Sequence, residues 1–296
     1  MTNINQQMIA LYDRFTHEGG MSRRALVAGM ARLAGSTAAG LAALQIIEAS
    51  AAAAPLTSEF DPNLSYGRVQ WRLVGGQQMA GYLAHPKRGN ARLPRVLVIH
   101  ENRGLNDHIR DITRRLGSAG FVALAPDFLS RAGETPRTGD GKMSADDIAR
   151  AMIGQLDRSM AVSDGLAALK FLGDFDVGRG VPAAVGFCWG GGMVNSLAVA
   201  AGAGLRAGVV YYGPPEQPEN AARIKARMLY HYAGLDERIN AMVPPWEQAL
   251  TAAGVTFSSN SYPGVNHAFN NDTSAARYNR PAAEDAWRKS LAWLAL

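Results

Sequence analysis

Three residues stand in the chain order that a hydrolytic triad needs. They are Cys188 in "VGFCWGGGM" (185–193), Asp236 in "YAGLDERIN" (232–240) and His267 in "YPGVNHAFN" (262–270). Cys188 is the single cysteine of 296 residues, so its thiol is either an inert core group or a reactive one. Gly186-Phe187-Cys188-Trp189-Gly190 has the form G-x-nucleophile-x-G, which lifts a nucleophile above a sheet on a sharp strand-to-helix turn. The turn strains the backbone of its central residue, and only glycines leave room around it. It also sets the sulfur at a helix N-terminus, where the backbone dipole favours an anion. A nucleophile needs a base, and the base needs an orienting acid. His267 and Asp236 fill those roles in the order nucleophile, acid, histidine. The remaining histidines are worse placed: His17 in the N-terminal segment, His85 at a hairpin end, His108 at a helix start, His231 mid-strand, and His100 near the site in a supporting position.

A second stretch, "VIHENRGLND" (98–107), ends an apolar strand with Glu101. The backbone N–H of Asn102 would face the same crevice as Cys188. Together with the N–H of Trp189 it would form a two-donor oxyanion hole. Glu101 itself could equally be a structural ion-pair partner of Arg103 or Arg131.

The surrounding elements must bring these groups together. "YGRVQWRLV" (66–74) and "QMAGYLAHP" (78–86) flank Gly75-Gly76 and read as an antiparallel hairpin. "RVLVIHE" (95–101), "FVALAPD" (121–127), "VPAAVGF" (181–187), "LRAGVVYYG" (205–213), "ARMLYHYAG" (226–234) and "VTFSSNSYP" (255–263) read as strands. Helical patterns alternate with them, including one capped by Ser144 that runs to about Leu172 and a last one from about Pro281. The expected fold class is α/β, a mostly parallel sheet covered by helices on both faces. Asp236 and His267 then fall at strand C-terminal ends, where such sheets assemble ligand sites.

Composition narrows the function class. Apolar residues are 47% and charged residues 19%, which suits a globular core. The net charge of +5 is scattered, with no basic run interleaved with aromatics, so no nucleic-acid partner is expected. No His/Cys/Asp cluster has metal-ligand spacing, so neither a metal nor a cofactor is expected.

Residues 1–54 read as an N-terminal extension and residues 55–296 as one catalytic domain. Arg23-Arg24, a Gly/Ala-rich apolar run and small residues up to Ala54 have the layout of a twin-arginine export signal. This implies transient contact with export machinery and a periplasmic or secreted enzyme. The other reading is an amphipathic helix packed on a cytoplasmic domain.

"HENRGLN", "ALAPDFLSR", "GFCWGGG", "GLDERIN" and "PGVNHAF", in that order, resemble the dienelactone hydrolase family of α/β hydrolases. The likeness spans about Tyr66 to Leu296, and the front segment resembles the family's exported branch. The resemblance implies the α/β-hydrolase fold, the triad Cys188–His267–Asp236, an oxyanion hole from Trp189 and Asn102, and a Glu101 that controls the thiol proton. It matches Arg131 to an arginine that binds a substrate carboxylate. A second such arginine would follow the histidine, where this chain has Asn270 and Asn271.

The thiol points to the substrate. Thiolate leaves readily, so a tetrahedral adduct goes forward only when the other group leaves readily too. Activated esters, enol lactones and thioesters fit; alkyl esters and amides do not. An acyltransferase or thioesterase on the same machinery, or a non-catalytic binding protein of this fold, are the alternative readings.

Overall fold

The computed structural model describes residues 6–17, 20–48, 57, 60–88 and 92–296. The small-residue run before Pro55, with its expected cleavage point after Ala54, lies outside them.

The body is one eight-stranded sheet. β1 (Leu64–Arg72) and β2 (Gln78–Pro86) form the expected antiparallel hairpin. Its turn needs positive φ at two successive positions, and Gly75 (92°) and Gly76 (87°) supply them. β2 pairs antiparallel with β4 (Val122–Pro126). Every other pairing is parallel, and β3 (Pro94–Ile99), β5 (Arg179–Phe187), β6 (Ala207–Tyr211), β7 (Arg227–Ala233) and β8 (Phe257–Tyr262) complete the order β1-β2-β4-β3-β5-β6-β7-β8. β3, β4 and β6 are apolar along almost their whole length because both their faces are covered.

Three helices lie on the N-terminal segment: α1 (Gln6–His17), α2 (Arg23–Ala34) and α3 (Thr37–Glu48). The body adds α4 (Asp107–Ser118), α5 (Ala145–Gly154), α6 (Arg158–Asp174), α7 (Trp189–Ala201), the short α8 (Glu237–Asn240), α9 (Val243–Ala252) and α10 (Arg280–Ala295). One core layer joins the sheet to α4 and α10 through Ile109, Ile112, Leu116, Ala286 and Leu294. The other joins it to α6, α7 and α9 through Leu169, Val194, Leu197, Trp246 and Leu250. The helix expected from Ser144 to about Leu172 is two helices. Ser144 does cap α5, but Asp157 starts α6 afresh, its carboxylate accepting from the Met160 N–H at 2.8 Å.

The N-terminal helices form a small core of their own, built on Met8, Tyr12, Leu26, Met30, Leu44 and Ile47. Arg23 pairs with Glu48 at 3.0 Å and with Asp147 of α5 at 3.6 Å. No single described helix is long and apolar enough to cross a membrane; α2 and α3 would be so only jointly, and they are bent by 110°.

Topology already indicates where chemistry belongs. From β3 the chain runs to β4 on one side and then returns to β5 on the other. The strand order therefore reverses between β3 and β5, with Ile99 beside Gly186 in register. The residues just beyond those strands, Glu101 and Cys188, share the crevice that such a reversal opens.

Candidate active site

Cys188 is the turn between β5 and α7. Its backbone has φ 56° and ψ −116°, a conformation that costs a non-glycine residue about 1–3 kcal/mol. The surroundings enforce it. The Cys188 N–H donates to the Tyr211 carbonyl at 3.0 Å, and its own carbonyl accepts from Gly192 at 3.2 Å. A side chain on Gly190 would strike the Ile99 and His100 carbonyl oxygens, and one on Gly186 would strike Gly190. Of the four non-glycine residues with positive φ among those described, Cys188 and Ala268 (64°) line this crevice, and Tyr212 (41°) packs its ring against His267. Trp189 is the first residue of α7, so its N–H has no acceptor within the helix. Asn102 lines the same crevice.

Asp236 follows β7 and caps α8. One carboxylate oxygen accepts from the Ile239 N–H at 3.2 Å, and the other accepts from His267 Nδ1 at 2.6 Å. Being a cap residue and being an orienting acid are therefore compatible. Burial alone would make His267 hard to protonate, but the Asp236 carboxylate and the Cys188 sulfur outweigh it and raise its pKa to about 10. Burial pushes Asp236 up, yet the His267 contact prevails and holds it below its ordinary value. With Nδ1 committed to Asp236, Nε2 is buried and has no hydrogen-bond partner among the described residues. A nitrogen of His267 and the Cys188 sulfur lie within 4.8 Å.

Glu101 is buried beside them. Asn271 donates to one of its oxygens at 2.9 Å, and the Tyr212 hydroxyl lies 3.4 Å from the other. Neither Arg103 nor Arg131 is its partner. Arg103 pairs with Asp146 at 3.0 Å. Asn271, in the segment where the family pattern has a carboxylate-binding arginine, anchors Glu101. His100 braces Trp189: the rings stack at 5.3 Å. Its Nε2 accepts from the Phe128 N–H at 3.3 Å, so Nδ1 carries the proton donated to the Glu101 carbonyl at 2.7 Å.

Arg131 is not brought to this site. Its guanidinium makes a two-pronged pair with Asp164, both bonds 2.7 Å, and also contacts Gln77 on the hairpin turn. It is absent from the side chains that line the crevice. Of those from outside the predicted set, Tyr12, Thr16 and His17 come from α1. His17 places Nδ1 at 3.8 Å and Nε2 at 4.0 Å from the Cys188 sulfur, and its ring centroid is 4.6 Å from that of His267. Asp13 pairs with Arg277 at 3.2 Å, and Tyr12 lies under the Arg277 guanidinium at 5.6 Å. No local pattern around "RFTHEGG" marks His17, because its partner is 171 residues away in sequence. His17, Cys188 and His267 also form the one cluster of metal-ligand atoms found among the described residues. With α1 in place, the cavity at the sulfur measures about 10 Å³, room for about one water molecule.

Residues 79–296 match the sequence profile described as the dienelactone hydrolase family. A protein of Escherichia coli O157:H7, provisionally named a carboxymethylenebutenolidase, is 33% identical over 231 residues, covering 74% of this chain and 82% of that one. The chain belongs to the dienelactone hydrolase family. A relative in Saccharolobus solfataricus with the same provisional name is 32% identical over 250 residues, covering 74% of this chain and 94% of its own length. A crystal structure from Klebsiella pneumoniae, provisionally assigned as a dienelactone hydrolase, superposes with a TM-score of 0.68 at 28% identity and covers 78% of this chain and 99% of that one. Family membership makes the chain a hydrolase of the carboxylic-ester class with an α/β-hydrolase sheet. The match begins at residue 79, so α1 to α3 lie outside it.

Proposed function

We propose that this dienelactone hydrolase family member cleaves activated esters and lactones through a thioester formed on Cys188. The observation that carries the reading is the 2.6 Å contact of Asp236 with His267, which leaves the other imidazole nitrogen for the elbow sulfur. His267 takes the thiol proton, and the Asp236 carboxylate that raises its pKa stabilises the imidazolium so formed. Sulfur adds to the substrate carbonyl. The carbonyl oxygen becomes an oxyanion facing the Trp189 and Asn102 N–H groups, each donor lowering the barrier by about 3–4 kcal/mol. The adduct expels the alkoxide or enolate, which recovers the proton from His267. Water, deprotonated by His267, then cleaves the thioester and releases the acid. Glu101, fixed by Asn271, takes or returns the thiol proton before substrate arrives.

A panel of enol lactones, aryl esters, thioesters and alkyl esters tests this reading, run on the full chain and on the chain from residue 55. Hydrolysis of the activated compounds that disappears in Cys188→Ala supports it; full activity in that variant refutes it.

We further propose that the segment before residue 55 directs twin-arginine export, a reading supported by Arg23-Arg24 and the apolar residues after them. Fractionation of wild type against an Arg23→Lys/Arg24→Lys double variant tests it. Equal distribution of both across compartments would refute it.

A further inference from the structure

The geometry points to a zinc site made of Cys188 Sγ, His267 Nε2 and a ring nitrogen of His17, a site that only the chain carrying α1 can complete. Each of the three residues offers one ligand atom, and these atoms lie within 4.8 Å of one another, with the sulfur 3.8 Å from His17 Nδ1. A point equidistant from three atoms spaced 3.8 to 4.8 Å apart is about 2.2–2.8 Å from each, close to zinc–nitrogen and zinc–sulfur bonds of about 2.0–2.3 Å. Closure needs side-chain shifts of a few tenths of an ångström, with no change of fold.

A second observation is independent of the spacing. His267 Nε2 is buried and lacks a hydrogen-bond partner among the described residues, while its Nδ1 donates to Asp236 at 2.6 Å. A ligating histidine whose other nitrogen donates to a carboxylate is the usual outer arrangement of a protein-bound zinc, and it fixes both ring orientation and tautomer. The 10 Å³ cavity beside the sulfur leaves room for a water as fourth ligand. One thiolate with two imidazoles selects a borderline-soft ion over magnesium or calcium, which require oxygen ligands.

On binding, sulfur coordinates as thiolate and both rings as neutral imidazoles, and the displaced protons pass to solvent. Two consequences follow. The metal fastens α1 to the elbow, and it withdraws the sulfur from nucleophilic use. The inference concerns binding and does not rest on the hydrolase reading, so the two fail separately.

The test titrates metal-free full chain with Zn²⁺ against a chromogenic chelator, with Mg²⁺ in parallel. One tightly held zinc per chain is expected, with Mg²⁺ inert. His17→Ala should weaken binding by about 100-fold or more, as should Cys188→Ala. Thermal melts verify that each variant is folded. Co²⁺ added to the wild type gives a variant-independent reading, since a tetrahedral thiolate site shows ligand-field bands and a sulfur-to-cobalt charge-transfer band. No stoichiometric binding, a wild-type cobalt spectrum without those bands, or zinc affinity indifferent to His17 would each overturn the site.

Discussion

The imidazole of His17 lies 3.8 Å from the sulfur of Cys188, so the first helix of the chain ends on the nucleophile of the last domain. Tyr12, Thr16 and His17 line the 10 Å³ cavity at the sulfur, and the same three residues also line a hollow of about 1010 Å³. Helix α1 therefore borders both the reactive atom and a large space beside it. A space of 10 Å³ is too small for an ester, so substrate entry is expected to displace this helix.

Removing residues 1–54 should raise kcat/KM for an activated aryl ester by about 10-fold or more, because a site open for only a fraction of the time has its apparent affinity reduced by that fraction. The body keeps both core layers, since neither contains a residue before Val69. Steady-state kinetics on both chain lengths check this. Equal or lower activity in the shorter chain would show that α1 does not close the site in solution.

Asp236→Asn separates the two jobs of that carboxylate. Asparagine still caps α8 but no longer attracts a proton to His267. His267 is raised from 6.5 to about 10 in the folded chain, so its contribution to stability is full below about pH 6.5 and is lost as pH rises through 10. Asp236 is lowered from its ordinary 3.8, so the acid edge of the same interaction lies below that value. Melting curves should show wild type well above Asp236→Asn at pH 6.5 and the two converging by pH 10 to 11. Parallel curves would contradict the pair. Turnover in this variant should fall by about 10³–10⁴.

Glu101→Gln keeps the size of the side chain and its contact with Asn271 but cannot hold a proton. A rate loss of about 10²-fold with unchanged thermal stability is expected. An unchanged rate would make Glu101 a structural residue.

Gly190→Ala places a methyl group against the carbonyl oxygens of Ile99 and His100. Overpacking of this kind costs about 1–3 kcal/mol, and the elbow must shift to relieve it. Activity should fall further than stability, as measured by urea melts alongside kinetics. Retained activity would mean that the turn tolerates displacement.

Much of this site was legible in advance because its members follow strand ends. Cys188, Glu101, Asp236 and His267 each sit past the end of a strand, and parallel topology sends those ends to one edge. The hairpin at Gly75-Gly76 was legible for a local reason, the need for two positive φ angles. Arg131 misled because a matching motif position fixes the backbone and not the partner; here Asp164 and Gln77 hold the guanidinium. The break at Gln155–Asp157 was hidden because helical periodicity continues across it, and only the Asp157 cap marks the restart. His17 was out of reach. Its position follows from the packing of α1 on the body through Asp13–Arg277 and Tyr12, a relation that no spacing in the chain encodes.

The most direct measurement is rapid-quench mass spectrometry of the chain from residue 55 mixed with an activated aryl ester. The account predicts an acyl mass added to the peptide containing Cys188, formed and discharged at rates compatible with turnover and absent from Cys188→Ala. Turnover without that adduct, or an adduct on another residue that Cys188→Ala leaves in place, would contradict it.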